Sequence, residues 1–308
     1  MRALVTGGGG FIGSHIVEEL LRRGNSVRVL DNFSSGKREN LATFQGDIEI
    51  LEGDLRNPNV IKTATQDVEL VFHLAAFISV PQSMLEPETC FETNVAGTVA
   101  LLEAARKAGV RKVVLSSSAA VYGNTDIFPT VEETPLQPAS PYALSKMVNE
   151  QYARLYTQIF NLPVTALRYF NVFGPRQRPD SAYAAAICIF SRRLVDGKPL
   201  TIYGDGGQSR DFIFVKDVVR ANLLAAESEV AGEAINVCTG HETSLLDLME
   251  EMSEVSPIQP EVRFEGPRPG DIYRSLGSPE KATAKLGFRA QTPLADGLAQ
   301  TVEWMKSK

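Results

Sequence analysis

Residues Ala3–Leu4–Val5 form a short apolar run that stops at Thr6–Gly7–Gly8–Gly9–Gly10, and an amphipathic stretch then runs from Phe11–Ile12–Gly13 to Gly24. The apolar run predicts a buried strand, and the spacing that follows predicts a helix from about Gly10 to Arg23, ended by Gly24. A strand that turns directly into a helix through glycines leaves few folds open. Gly7 permits the tight turn, Gly10 lets backbone approach a pyrophosphate, and Gly13 allows close helix–strand packing. The helix N-terminus offers unpaired amides and partial positive charge to phosphates. With a strand before it and a helix after it, the segment Gly7, Gly10, Phe11, Ile12 and Gly13 predicts a dinucleotide site.

The first half of the chain repeats this alternation. Strand-like runs stand at Val27–Leu30, Ile48–Leu51, Leu70–Leu74, Lys112–Leu115 and Val164–Tyr169. Between two of them, the stretch from Thr93 to Ala108 spaces Val95, Val99, Leu102 and Ala105 as on a helix. Strands alternating with helices pair in parallel through right-handed crossovers, so the expected fold is α/β, a Rossmann-type doubly wound parallel sheet. After about Phe173 turn signals become dense, as at Gly174–Pro175 and Gly204–Asp205–Gly206–Gly207. The expected division is a dinucleotide-binding domain over 1–172 with a return segment near 211–238. A smaller C-terminal lobe would be made of 173–210 and 239–308.

In such a sheet ligands bind where the strands end. Asp31, at the end of the second strand, can accept ribose hydroxyls and repel a 2′-phosphate, which favours NAD over NADP. Neighbouring Lys37 and Arg38 keep the alternative open. Asn32 follows Asp31; Asp54 and Leu55, after the third strand, would lie near the adenine. The small side chains of Leu74–Ala75–Ala76, after the fourth, would lie against the cofactor.

Composition excludes several classes. Formal net charge is -6, so no basic field exists to hold nucleic acid or an anionic membrane, and an anionic ligand must be gripped by a few placed cations and amides. Cys90, Cys188 and Cys238 lie far apart with no metal-ligand spacing, which predicts buried thiols in a reducing compartment and no metal. His73 interrupts an apolar strand and reads as a packed histidine. The chain opens on a strand-like run, and nothing approaches the roughly 20 apolar residues that span a bilayer. A cytoplasmic protein is expected.

Tyr142 and Lys146 are spaced i, i+4, which on a helix puts both on one face. An ammonium beside a phenol favours the phenolate, so the tyrosine is expected to become a usable general base near neutral pH. Upstream, Leu115–Ser116–Ser117–Ser118–Ala119–Ala120–Val121–Tyr122–Gly123 leaves another strand of the same sheet. Ser118 can there bond the substrate oxygen that loses or gains a proton.

With these residues in hand the chain resembles the extended short-chain dehydrogenase/reductases, and within them the 4-epimerases of UDP-glucose (UDP-galactose) and UDP-N-acetylglucosamine. The likeness is carried by Thr6 to Gly13, Asp31–Asn32–Phe33, Gly53–Asp54–Leu55, His73–Leu74–Ala75–Ala76 and Asn94–Val95–Ala96–Gly97–Thr98. It continues through Ser116 to Gly123, Tyr142 to Lys146, Arg168 to Pro175, Arg210–Asp211–Phe212 and Arg268–Pro269–Gly270–Asp271.

The resemblance implies Ser118, Tyr142 and Lys146 as catalytic residues, with Asn94, Ser116, Tyr142, Lys146 and Tyr169 also lining the NAD site. It implies Asn171 on the sugar diphosphate, Arg210 and Arg268 on its phosphates, and Asp271 on the ribose of the nucleotide. Asn94 would act as structural support. In the reaction it implies, Tyr142 takes the proton of the sugar 4-hydroxyl while hydride passes from C4 to NAD⁺. The 4-keto sugar then turns over and hydride returns to its other face. Related 4,6-dehydratases carry an Asp–Glu pair where this chain has Ala119 and Ala120, and UDP-glucuronate decarboxylases carry a glutamate in that turn.

Ser275 stands where hexose-specific relatives carry a bulky tyrosine, leaving space for an N-acetyl group, and Ser79–Val80 replaces a lysine-containing segment in the substrate region. The competing expectations are a 4,6-dehydratase, a UDP-glucuronate 4-epimerase, or a non-catalytic NAD-binding sensor, although Ser118, Tyr142 and Lys146 are all present. The resemblance also implies a homodimer, paired through the helices near Thr93–Ala108 and Tyr142–Tyr156.

Overall fold

A computed structural model describes residues 1–179, 186–256, 261–266 and 272–308. Strands β1 (Arg2–Thr6), β2 (Ser26–Asp31), β3 (Ile48–Glu52), β4 (Leu70–His73), β5 (Lys112–Ser118) and β6 (Val164–Tyr169) alternate with helices. These are α1 (Phe11–Arg22), α2 (Pro58–Ala64), α3 (Val80–Leu85), α4 (Pro87–Phe91), α5 (Gly97–Lys107) and α6 (Pro141–Phe160). Later come the short strands β7 (Asn171–Phe173), β8 (Leu200–Tyr203), β9 (Ser209–Arg210) and β10 (Phe212–Phe214). They are followed by β11 (Glu233–Val237), β12 (Thr243–Ser244), β13 (Val262–Glu265) and β14 (Arg274–Ser275). The remaining helices are α7 (Ala186–Val195), α8 (Val215–Glu227), α9 (Leu245–Glu254), α10 (Glu280–Leu286) and α11 (Leu294–Lys306).

Seven strands make one parallel sheet in the order β11-β6-β5-β4-β1-β2-β3. This is the doubly wound α/β fold expected. The order reverses between β1 and β4, the place where such sheets open a crevice at their carboxyl ends. The strand β11, which the apolar runs did not flag, extends the sheet beyond β6.

Alternation along each strand sends side chains to opposite faces. Ala3 and Val5 join Ile16, Val17 and Leu20 of α1 and Val218 of α8 in one buried layer. Leu4 and Leu30 join Ile61 of α2, Leu101 and Leu102 of α5 and Tyr156 of α6 in the other. Covered on both sides, the sheet can present polar groups only at its ends. A third apolar cluster, including Phe173, Ile187, Phe190, Leu248 and Leu298, holds together α7, α9, α11 and the short strands. Among the described residues no helix is long and apolar enough to cross a membrane.

Candidate active site

The turn after β1 is built around the lack of Cβ atoms. Gly7 sits at φ 69°, and a Cβ there would lie 2.7 Å from the Ala75 amide nitrogen. A Cβ on Gly13 would lie 2.1 Å from the Gly7 carbonyl oxygen. The turn therefore brings α1 against β1 and against the chain leaving β4. Gly10 caps α1 without a side-chain hydrogen bond, and the first turn of the helix carries no acidic residue. Nothing in that turn competes with an outside anion for its amides, which fits a pyrophosphate.

Asp31 is buried at the end of β2. Its carboxylate accepts from the Gly9 amide at 2.8 Å and from the Phe33 amide at 2.7 Å. Burial pushes its carboxyl above the ordinary value, against the pull of those two amides. Asp31 thus ties the glycine turn to β2 while keeping an acceptor at the crevice. Arg38, the residue that could have gripped a 2′-phosphate, stacks on the Phe33 ring 4.2 Å from its centroid and pairs with Glu52. Asp54 accepts from Asn32 Nδ2 at 2.9 Å and is gripped by Arg56, whose hydrogen bonds hold it well below the usual carboxylate range. Leu55 is buried, and Leu74, Ala75 and Ala76 lie half-buried at the end of β4.

The i, i+4 pair falls on α6 as expected. The Tyr142 phenol is hydrogen-bonded to Ser118 at the end of β5, and Lys146 Nζ donates to the Ser116 carbonyl at 2.8 Å and to Ser116 Oγ at 3.2 Å. The electrostatics depart from the expectation. The Lys146 ammonium lies 5.9 Å from the centre of the Tyr142 ring and is engaged by Ser116. Burial raises the phenol above its ordinary value, and only the Ser118 hydrogen bond pulls it back. Burial likewise lowers Lys146 to about 8. The lysine holds its strand more closely than it holds the phenol, so the protein's own groups do not acidify Tyr142. A cationic ring beside the phenol would be needed for that.

Asn94 lies in a π-turn over Glu92–Ala96, between α4 and α5. Its Oδ1 accepts from the Phe77 amide at 2.7 Å, and its Nδ2 donates to the Phe77 carbonyl and to Ser145 Oγ. Both ends of the amide are thus spent on protein, binding the chain after β4 to α6. His73 behaves as a packed residue: Nδ1 meets Thr6 Oγ1 at 2.7 Å, Nε2 meets Thr98 Oγ1 at 2.9 Å, and burial lowers it to about 3. The Tyr169 hydroxyl donates to Asn222 Oδ1 at 2.9 Å. Among the described residues no group of His, Cys, Asp and Glu could hold a metal.

On the other side of the crevice, Asn171 begins β7, and its amide donates to the Asp211 carbonyl at 3.0 Å. Arg210 and Ser275 are direct partners in the β9–β14 pair, so their side chains share a face. Arg210 Nη1 donates to the Ser209 carbonyl at 2.8 Å and the Tyr273 carbonyl at 3.2 Å. Ser79 is the N-cap of α3, its Oγ accepting from the Gln82 amide at 3.1 Å. Arg268 and Asp271 lie outside the described residues.

Sequence reasoning missed Asp211 as a pin. Its buried carboxylate accepts from Thr239 N, Thr239 Oγ1 and Gly240 N at 2.7–2.9 Å, joining β10 to the loop after β11. A lone aspartate between Arg210 and Phe212 carries no local signal of that role.

A family model described as the NAD dependent epimerase/dehydratase family matches residues 3–238. The chain is 41% identical to a UDP-glucose 4-epimerase of Mycolicibacterium smegmatis, over 100% of this chain and 99% of the relative. It is 41% identical, with a TM-score of 0.95, to the UDP-N-acetylglucosamine 4-epimerase of Methanobrevibacter ruminantium solved with UDP-N-acetylmuramic acid, covering 99% of this chain and 98% of that one. It is also 41% identical to the Thermus thermophilus UDP-glucose 4-epimerase solved with NAD, at a TM-score of 0.91 and 99% coverage of each chain.

Proposed function

Because the chain belongs to the NAD dependent epimerase/dehydratase family, we propose that it inverts the 4-hydroxyl carbon of a UDP-hexose, either UDP-glucose/UDP-galactose or their N-acetylated counterparts. The reading is carried by the Tyr142–Ser118 hydrogen bond at the carboxyl end of the sheet, beside buried Lys146, in a turn that continues with Ala119 and Ala120. Bound NAD supplies reversible hydride transfer at C4. Tyr142 takes the proton of the 4-hydroxyl and later returns it, while Ser118 shares that hydrogen bond and keeps the phenol aimed. Lys146 holds the end of β5 through Ser116. Gly7, Gly10, Phe11, Ile12 and Gly13 would cradle the pyrophosphate, and Asp31 would take the ribose hydroxyls and disfavour a 2′-phosphate.

Elimination of water at C5–C6, or loss of a carboxylate, calls for an added acid or base in the turn after Ser118. Alanines there leave reversal of the hydride transfer as the simplest outcome. Asn171, Arg210, Arg268 and Asp271 would grip the diphosphate and ribose, with the hexose left free to turn. Ser275, beside Arg210, is small, which favours acceptance of an N-acetyl group, and the M. ruminantium relative is named for that substrate. The working division is a cofactor domain over 1–172 with the return near 211–238, and a substrate lobe from the remainder.

A homodimer through α5 and α6 fits the apolar side chains that α6 leaves exposed, where Leu155, Ile159 and Phe160 are 41%, 63% and 43% exposed. A cytoplasmic setting fits three cysteines that stay free and buried. The test is to incubate the protein separately with UDP-glucose and UDP-N-acetylglucosamine and resolve the products. Inversion at C4 is expected for both, with loss of at least about a thousandfold in Tyr142→Phe. A 4-keto-6-deoxy product would overturn the epimerase reading and leave the oxidation step standing.

A further inference from the structure

Three consecutive serines on β5 are each held by a different turn of α6. Tyr142 bonds Ser118 and Lys146 bonds Ser116; Glu150, one turn further along the same face, accepts from Ser117 Oγ at 2.5 Å. Glu150 is itself locked. Arg168 of β6 donates to both of its carboxylate oxygens, at 2.9 and 2.7 Å, and the two side chains are each 5% exposed. The same guanidinium donates to the Tyr122 hydroxyl at 2.7 Å and the Glu132 carbonyl at 3.1 Å, and the Tyr122 hydroxyl donates to Asn236 at 2.7 Å. Tyr122 closes the short 3₁₀ turn that begins immediately after Ser118. Arg168 therefore grips, from a neighbouring strand, both the helix carrying Tyr142 and Lys146 and the far end of the turn carrying Ser118.

A buried ion pair of this kind adds little stability over apolar groups of similar volume, so packing alone does not account for it. What it adds is directional. Bidentate geometry fixes a carboxylate far more tightly than a single contact does, and that carboxylate fixes Ser117, the residue between the two serines at the site. Charge points the same way. The Lys146–Tyr142 pair is faced by His73 from β4, Cys90 from α4, Tyr169 from β6 and Glu150 from α6, with Arg168 behind Glu150. Burial keeps His73, Cys90 and Tyr169 neutral near neutral pH.

We propose that Glu150, locked by Arg168, is a positioning residue for the epimerisation site: it holds β5 against α6 through Ser117 so that Ser118 and Tyr142 stay in register, and its charge offsets the buried guanidinium beneath Lys146. This rests on the reading that Ser118, Tyr142 and Lys146 carry the chemistry.

Glu150→Gln tests it, because glutamine keeps the shape and an acceptor for Ser117 but leaves Arg168 uncompensated. The kcat for UDP-glucose should fall roughly 10- to 100-fold with KM little changed, as for a misplaced catalytic group. The uncompensated positive charge favours the phenolate, so the acid limb of kcat should move to lower pH by about one unit, the effect of a unit charge two helical turns (about 12 Å) away at an effective dielectric near 20. Ultraviolet difference titration of the Tyr142 phenol, taken against the Tyr142→Phe counterpart, should move the same way without turnover. The neutral pair Glu150→Gln/Arg168→Met should return the limb to its wild-type position while kcat stays low.

Wild-type kcat in Glu150→Gln overturns the proposal. So does a fall in kcat that tracks a lower melting temperature with both titrations unmoved, which marks a merely structural role. If Glu150→Gln does not fold, wild-type kcat in the neutral pair overturns it equally. Active Tyr142→Phe would instead sink the underlying reading, which makes the two failures distinguishable.

Discussion

Substituting alanine at Gly13 is the sharpest test of the glycine turn. Gly13 is at an ordinary negative φ, so the substitution acts through sterics alone. The new Cβ would meet the Gly7 carbonyl oxygen at 2.1 Å, its carbon at 2.9 Å and Gly8 Cα at 3.0 Å. All three are backbone atoms, which no rotamer change can move. The start of α1 and the turn must separate by about an ångström to restore normal contact. Overpacking of a rigid site costs about 1–3 kcal/mol, and two backbone segments put this case near the top of that range. For a chain of 308 residues each kcal/mol is worth about 1.5 °C, so the melting temperature should fall by about 4–5 °C.

The same movement carries the first-turn amides away from the phosphates. One or two charge-assisted hydrogen bonds, at about 1.5–3 kcal/mol each, correspond to NAD binding weaker by roughly 10-fold to more than 1,000-fold. Thermal melts over a range of NAD concentrations read both effects, since ligand-linked stabilisation scales with the logarithm of concentration over Kd. Gly46→Ala is the control, because a Cβ there meets nothing within 4 Å and the φ is not positive. A Gly13→Ala protein that melts with the wild type and shows the same NAD-induced shift would refute the close-packing argument.

Two further outcomes follow from the site. Ser275→Tyr should cut conversion of UDP-N-acetylglucosamine at least about tenfold relative to UDP-glucose, because a bulky ring beside Arg210 removes the room for an acetamido group. Competition kinetics with the two sugars measure the ratio, and an equal loss on both would remove Ser275 as a gate. His73 sits near 3 in the folded protein against an ordinary 6.5, so the unfolded chain binds the extra proton. Its contribution should be intact above about pH 6.5 and lost as pH falls below it, amounting to about 2 kcal/mol at pH 5. Denaturant unfolding of wild type and His73→Asn between pH 7 and 5 should show the difference between them shrinking toward the acid end, and a constant difference would contradict the assignment.

Features encoded within a few residues of one another were legible without coordinates. A short continuous apolar run marks Ala3 to Val5 as strand, glycines mark the turn into α1, and i, i+4 spacing puts Tyr142 and Lys146 on one face. Each depends only on local backbone geometry, which the residue types themselves dictate. The resemblance supplied the pairing of that helix with Ser118.

What stayed hidden is set by contacts between segments distant in sequence. No local pattern announces that β11 will extend the sheet, that Asn94 will spend its amide on Phe77 and Ser145, or that Glu150 and Arg168 will meet in the core. Titration behaviour belongs to the same class. From spacing alone, Lys146 should acidify Tyr142; in the folded chain the ammonium turns to Ser116 and burial raises the phenol instead. Desolvation is a property of everything packed around a group, so it exists only once the chain has closed around it.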